Sequence, residues 1–282
     1  MLLDAYAAEQ LRLLKARGTL VWSLAPIPLV YLGYALFLHW GFHQQAARTG
    51  TQALLSASGP IDLIHGAVQA LGGAHYVMNI PFLLVAGCAV FGSDYRWETW
   101  RLITPRNSRN NLMLAKLALF GVLAAVSLAL FVVLAFVGGL FGSALNRVPV
   151  VLAQDLGSAL PRLAMMFGLS WLELMVFGAA AACLAVFTRS QFAAFFLTLV
   201  WAVGQGIWQL TLQPPDPANP PLKYLAILPG YAADFLKAVI RAGEMAPETH
   251  SVWPALGFLL FWAAGLGVVT VLAFGRQDLT RE

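Results

Sequence analysis

Residues 91–116 read FGSDYRWETWRLITPRNSRNNLMLAK and form the only strongly charged stretch set between two long apolar runs. Asp94, Glu98 and Arg101 follow one another at spacings of four and three residues, so a short helix would carry them on one face. Pro105 ends such a helix because proline lacks the backbone donor that the next turn needs. We call this stretch the elbow.

A second helix is predicted to begin directly after this break. Asn107 or Ser108 can cap it, and Arg109 and Lys116 then enter the membrane boundary. A plainer interpretation stays open, because membrane proteins routinely use basic inside loops with tryptophans at headgroup level for orientation. Both interpretations place the elbow at a membrane surface.

The composition excludes an ordinary soluble protein. Hydrophobic residues make up 60% of the 282 residues, charged residues only 11%, and the mean hydropathy is +0.74. The basic residues lie beside apolar runs, where they act as topology signals, so no nucleic-acid partner is expected. Cys88 and Cys183 lie inside apolar runs and are predicted to be small buried hydrophobic residues without a disulfide.

The apolar runs predict an all-α, polytopic integral membrane protein with one domain, residues 1–282. Each run is close to the length that a helix needs to cross a bilayer. The six predicted spans are approximately residues 19–40, 74–92, 117–145, 163–187, 191–212 and 252–275. Gly138 and Gly142 in the third span form a small-xxx-small face that lets helices approach closely.

Two amphipathic segments are predicted to lie on the membrane surface. Residues 3–17 place leucines on one helical face, and residues 224–241 place an apolar stripe opposite Asp234, Lys237 and Arg241. A further short helix is expected on the outer surface before the second span. Most of the Lys and Arg residues fall on the side that holds both termini and the elbow, so that side is predicted to be cytoplasmic.

The elbow resembles the corresponding segment in the membrane subunits of type-2 ABC exporters. That family has an acidic residue, Arg or Lys, Gly-Thr or similar, Leu, Pro, Ser-Arg and then Lys. The positions here are Asp94, Arg96, Glu98–Thr99, Leu102, Pro105, Ser108–Arg109 and Lys116. The chain departs from the pattern where Asp94 replaces the more frequent Glu, and where Trp97–Glu98 replaces the usual small residue or Gly before Thr99. Outside this segment the resemblance is one of helix count and spacing.

This resemblance implies a function. The elbow is expected to be a coupling helix between spans two and three that sits on a partner ABC ATPase dimer, and the chain a permease subunit in the cell membrane that pairs with a second copy. ATP and Mg are then expected on the partner, with no cofactor, metal or catalytic residue in this chain. The residues implied in coupling are Asp94, Arg96, Glu98, Arg101 and Arg109.

Glu173 is the only charged residue well inside a predicted span. Charged side chains are costly in lipid and usually face a cavity or a partner, so we expect a role in the transport path. A structural carboxyl that a neighbouring helix satisfies is the alternative. The sequence contains no GxxxxGK[ST] phosphate-binding loop, so an ATPase would be a separate polypeptide.

Two other functions stay open on the sequence alone. One is a membrane-embedded enzyme that uses Glu173 and the outer histidines His39, His43, His65 and His75. His39 and His43 share a helical face, yet no Cys or carboxylate nearby completes a metal site. The other is an assembly or sensor subunit without a transport path.

Overall fold

The computed structural model describes residues 2–51, 59–73, 78–97, 99–100, 104, 107–211, 214, 216, 218–243 and 249–277. This part of the chain is all-α apart from two strands of two residues each. In chain order the elements are α1 (Leu2–Lys15), α2 (Arg17–Leu24), α3 (Pro26–Thr49), β1 (Ile61–Asp62), α4 (Leu63–Gly72), α5 (Asn79–Arg96), α6 (Arg109–Asn146), β2 (Val150–Val151), α7 (Leu156–Thr188), α8 (Gln191–Thr211), α9 (Leu222–Ile227), α10 (Pro229–Ala242) and α11 (Val252–Arg276).

Five helical stretches are long and apolar enough to cross a membrane, which confirms a multi-pass helical membrane protein. They are Arg17–Thr49, Arg109–Asn146, Leu156–Thr188, Gln191–Thr211 and Val252–Arg276. The first of them is interrupted at Pro26, because proline lacks the backbone N–H that a continuous helix would use there. Accordingly, α2 ends at Leu24, and α3 begins with Pro26 in its first turn. The N–H groups of a first turn have no partner within the helix, so proline costs no hydrogen bond there.

The predicted second span, residues 74–92, falls on α5 and is not among those five. Residues 74–77 lie outside the described part of the chain. The 18 residues of α5 include Asp94 and Arg96 in its last turns, so its apolar part is short. On its N-terminal side, α4 packs against α6 and α7 with Ile64, Val68 and Leu71 buried. The helix expected on the outer surface is therefore covered by the longer helices.

The strands β1 and β2 join the beginnings of α4 and α7. They pair in parallel, with Ile61 opposite Val150 and Asp62 opposite Val151. The Asp62 carboxylate accepts hydrogen bonds from the backbone N–H of His65 at 2.8 Å and of Gln154 at 3.0 Å. One side chain thus caps α4 and also binds the connection that leads into α7.

Glycines allow the central helices to pack closely. The ring of Phe120 on α6 lies against Gly87 of α5 and Gly178 of α7, where a side chain on either glycine would collide with it. The predicted close approach through Gly138 and Gly142 is confirmed, since these residues of α6 face Ala35 and His39 of α3.

The amphipathic segment 224–241 is two helices, α9 and α10, and they pack among other helices. The α10 helix contacts α7, α8 and α11. The indole N–H of Trp262 donates to the carbonyl of Ala226 at 2.8 Å. Trp262 lies ten residues from the beginning of α11, which is about 15 Å along the helix axis. Its contact with Ala226 therefore places α9 within the bundle and not on its outer surface. The prediction of a surface helix with Lys237 on its polar face was wrong, since only 1% of Lys237 is exposed.

Candidate functional site

A buried ammonium group lies where the elbow joins the helix bundle. Lys116 on α6 has no exposed surface, and its Nζ lies 2.7 Å from Asp94 Oδ2 and 3.0 Å from Glu9 Oε1. The same Nζ donates to the carbonyl oxygen of Val90 at 2.6 Å. A buried charge is tolerated only when it is paired and hydrogen-bonded, and here α1 and α5 supply the partners.

Arg12 completes this arrangement from the surface. Its side chain is 45% exposed, and Nη1 lies 2.8 Å from Asp94 Oδ1 and 3.3 Å from Glu9 Oε1. Thr99 also donates its hydroxyl to Asp94. We call four residues the charge cluster: Glu9, Arg12, Asp94 and Lys116. They comprise two acids and two bases, so their charges balance. The cluster joins α1, α5 and α6.

The charge cluster keeps Asp94 ionised. Burial by itself raises the pKa of this carboxyl, but the Lys116 ammonium, the Thr99 hydroxyl and the Arg12 guanidinium together outweigh burial. The net result is a pKa below the ordinary value for Asp. The Asp94 carboxylate therefore carries its charge at neutral pH.

The sequence of α1 explains how Glu9 reaches this place. Ala5, Glu9 and Leu13 follow one another at a spacing of four and form the buried face of the helix. Leu3 and Leu11 remain 79% and 61% exposed on another side, which suits the predicted contact with the membrane surface. Sequence reasoning missed Glu9, although an acid between two apolar residues on one face is a detectable signal.

The elbow also contacts the C-terminal end of α11. The rings of Trp100 and Phe274 lie 4.3 Å apart between centroids. The hydroxyl of Tyr95 donates to Gln277 Oε1 at 2.9 Å, and Gln277 Nε2 donates to the carbonyl of Val186 at 3.1 Å. Gln277 was not singled out from the sequence, yet it joins the ends of α5, α7 and α11.

Arg109 lies in the same contact region. Its guanidinium donates to the backbone carbonyls of Gln277 and Gly275 at the end of α11. Cations stabilise the C-terminus of a helix because unpaired carbonyls concentrate negative charge there. Ser108, as predicted, caps the beginning of α6 by accepting from the N–H of Asn111 at 3.3 Å.

The elbow residues predicted to couple to a partner lie in different environments. Asp94 is 1% exposed and Arg109 is half-buried, so neither presents a free charge on the surface. Arg96 is exposed and its guanidinium lies over the ring of Trp97, which is 68% exposed. Glu98 and Arg101 lie outside the described residues, as does the break at Pro105. The coupling helix itself therefore stays a prediction.

Glu173 has a partner that the sequence analysis did not find. The carboxylate lies near the middle of α7, is 3% exposed, and accepts a hydrogen bond from Lys237 Nζ on α10. Asp234 Oδ1 lies 4.0 Å from the same Nζ. An isolated charge at this depth would be very costly, and the opposite charge offsets much of that cost.

Two glutamines on α8 cap the N-terminus of α10 within the bundle. The N–H of Gly230 donates to Gln205 Oε1 at 2.8 Å. With the amide of Gln209 oriented to suit its neighbours, its oxygen accepts from the N–H of Tyr231 at 2.9 Å and its nitrogen donates to Asp234 at 3.1 Å. The first N–H groups of a helix have no partner within it, so α8 supplies partners that water cannot.

The outer histidines do not converge on Glu173 in the described part of the chain. His39 packs against Gly142 on α6, and His65 lies near the beginning of α4, where Gln69 is its neighbour. His75 lies outside the described residues. Among those described, no three His, Cys, Asp or Glu side chains are grouped closely enough to hold a metal ion.

No model of a known protein family, no curated protein and no solved structure matches this chain.

Proposed function

We propose that this chain is the permease subunit of an ABC transporter, in which a separate ATPase dimer hydrolyses ATP and a second copy of the chain completes the transport path. The observation that carries the proposal is the charge cluster. It joins the charged elbow to α1, α5 and α6 through buried ion pairs, and such pairs are costly to break one at a time. A displacement of the elbow therefore moves these helices together.

The contact with α11 extends this connection. Trp100 packs on Phe274, and Gln277 bonds both Tyr95 and the last turns of α7. The end of α11 thus contacts the elbow directly and the end of α7 is linked to it through Gln277, in addition to α6, which begins there. This arrangement suits a segment that receives a mechanical input on the cytoplasmic side. An orientation signal alone would not require it.

The surface for the ATPase would consist of Arg96 and Trp97, which are exposed, together with Glu98 and Arg101 from the predicted coupling helix. Asp94 and Arg109 would act indirectly, by holding the elbow on the bundle. ATP and Mg would bind to the partner, because this sequence has no phosphate-binding loop. The chain would lie in the cell membrane, with α4 and α5 together forming the sixth crossing and both termini in the cytoplasm.

Purification tests this function directly. The tagged chain is purified in mild detergent from its native cells, and the associated proteins are identified and assayed for ATP hydrolysis. We expect an ABC ATPase to co-purify and its hydrolysis rate to depend on the permease. A complex without any ATPase, or an ATPase whose rate is the same without the chain, would contradict the proposal and favour an assembly or sensor subunit.

A further inference from the structure

We infer that Glu173 binds the cationic group of an amphiphilic substrate, and that Lys237 occupies this site in the described state as an internal substitute for that substrate. This inference rests on the proposed transport function, since it names the substrate class for the same path. It starts from the placement of Glu173, whose carboxylate is 3% exposed and faces an ammonium group supplied by α10.

The ammonium of Lys237 can leave Glu173 without losing every acidic partner. Asp234 lies one turn earlier on α10, with its Oδ1 4.0 Å from the Lys237 Nζ. Because both residues belong to the same helix, a shift of α10 away from α7 carries this second carboxylate along with the lysine. Glu173 then remains on α7 as an unpaired acid inside the bundle. Such an acid must either take up a proton or pair with a new cation.

An apolar groove lies between the two helices that carry this ion pair and α11, and its lining reaches the residues that precede Glu173 and Lys237. It has a volume of about 370 Å³ and lies between α7, α10 and α11. Leu172 and Leu236 line it, and these residues directly precede Glu173 and Lys237 in the chain. Trp253 also lines the groove and is 79% exposed, so an aromatic ring is present for an incoming cation.

The combination defines the ligand by its chemistry. Apolar walls favour a hydrophobic body, while one buried carboxylate and an indole ring favour a positive charge. An amphiphilic organic cation satisfies both requirements, whereas an anion of the same size would meet the negative carboxylate in a site of low polarity. The structure thus assigns selectivity for charge to Glu173 and the space for the ligand to the groove.

Tetraphenylphosphonium binding to the purified full-length chain tests the inference, with tetraphenylborate as the anion of matched size and shape. We expect saturable binding of the cation to the wild type and none of the anion. Lys237→Met should bind the cation about tenfold more tightly or better. In the wild type Lys237 occupies most sites, and the apparent affinity is the intrinsic affinity multiplied by the fraction of sites that is open. Glu173→Gln should abolish cation binding.

The double variant Glu173→Gln/Lys237→Met serves as the folded control, since it removes both members of the buried pair at once. It should keep wild-type thermal stability and bind neither ion. If Lys237→Met fails to fold, the comparison of wild type with the double variant decides. Equal cation binding by these two proteins, or binding that does not depend on charge, overturns the inference.

Two further comparisons show whether a lipid amine is the natural ligand and whether the site or the transporter is at fault when an expected result fails. The assay is repeated in phosphatidylcholine bilayers with and without phosphatidylethanolamine, so that competition by a lipid amine identifies the lipid as the cationic amphiphile at Glu173. The assay needs no ATPase. If the chain binds the cation but no ATPase co-purifies with it from native cells, the transporter is contradicted and the site stands. If an ATPase co-purifies but the chain binds no cation, the transporter stands and this substrate class is rejected.

Discussion

Asp94 Oδ2 lies 2.7 Å from Lys116 Nζ, and this ion pair joins the two ends of the elbow to each other. Both side chains are buried, and both also contact residues of α1. The elbow is therefore fixed at its base, while Arg96 and Trp97 remain exposed. Each part of this arrangement can be tested separately.

Single substitutions in the charge cluster should destabilise the protein more than a paired one. Asp94→Asn or Lys116→Met leaves the charge cluster with one excess charge, and breaking a buried pair in this way costs about 3–5 kcal/mol of unfolding free energy. Asp94→Asn/Lys116→Met leaves Glu9 with Arg12 and should recover most of the loss. Thermal unfolding in detergent measures the difference. Arg96→Gln, at an exposed position, is the control and should stay close to the wild type.

The contribution of Asp94 should depend on pH in a defined direction. Its folded-state pKa is lowered, so the stabilisation is fully present above the ordinary pKa of 3.8 and is lost as pH falls through the folded-state pKa. The melting temperatures of wild type and Asp94→Asn should differ at neutral pH and converge in strong acid. A difference that stays constant down to that range would show that Asp94 acts without its charge.

The orientation of the chain can be measured by cysteine labelling. Cysteines introduced at Asn107 and Thr280 should resist an impermeant thiol reagent in intact cells, while those at Thr49 and Ala218 should react. Cys88 and Cys183 are buried and provide a low background. Labelling of Asn107→Cys from outside would place the elbow on the wrong side for an ATPase and reject the proposed topology.

Glu98→Arg tests the coupling surface. At a buried contact with an ATPase, the reversed charge costs several kcal/mol, whereas at an exposed surface it costs about 1 kcal/mol or less. We expect insertion and thermal stability near wild type, with reduced ATPase association or reduced substrate-stimulated hydrolysis. Glu98→Gln, which removes the charge without reversing it, should show a smaller effect. Normal association and transport in Glu98→Arg would identify the elbow as an orientation signal.

The packing around Phe120 can be tested with two glycines on the same helix. Gly178→Ala places a methyl group against the Phe120 ring and should cost about 1–3 kcal/mol of stability. Gly168→Ala meets no atom within 4 Å, so it should be neutral or slightly stabilising. Thermal melts of the two variants compare them directly. Equal melting temperatures would mean that the ring has room to move aside.

The positions of most helices could be predicted from the sequence, whereas the helices against which each one packs could not. Long uncharged runs predicted the five apolar helices, because hydropathy and length are local properties. The last two are predicted within a residue at each end, whereas each of the other three extends seven to nine residues beyond the predicted span at one end. Capping chemistry predicted Asn107 or Ser108 as the cap of α6, and the cap is Ser108. The second run was harder, since its polar last turns and its division between α4 and α5 leave no single span of full length.

The buried ion pairs show what could not be predicted from the sequence. The lack of any other charge within a predicted span identified Glu173 as an anomaly, but its partner Lys237 lies 64 residues away and was placed on an exposed face. Amphipathic patterns give the face on which a residue lies. They do not tell whether that face meets water or another helix. Glu9 was missed for the same reason, because its partner Lys116 becomes a neighbour only after α1 folds back on α6.

The pairing of β1 with β2 fixes the point about which α4 and α7 can move relative to each other. Parallel strands set the beginnings of α4 and α7 side by side, and the Asp62 carboxylate bonds both connections. Because α4 and α7 are held together at their beginnings, a small rotation about this pairing changes their separation least near the strands and most at their far ends. The strand pairing is thus a pivot, and the far end of α7 can move without breaking the hydrogen bonds that hold its beginning.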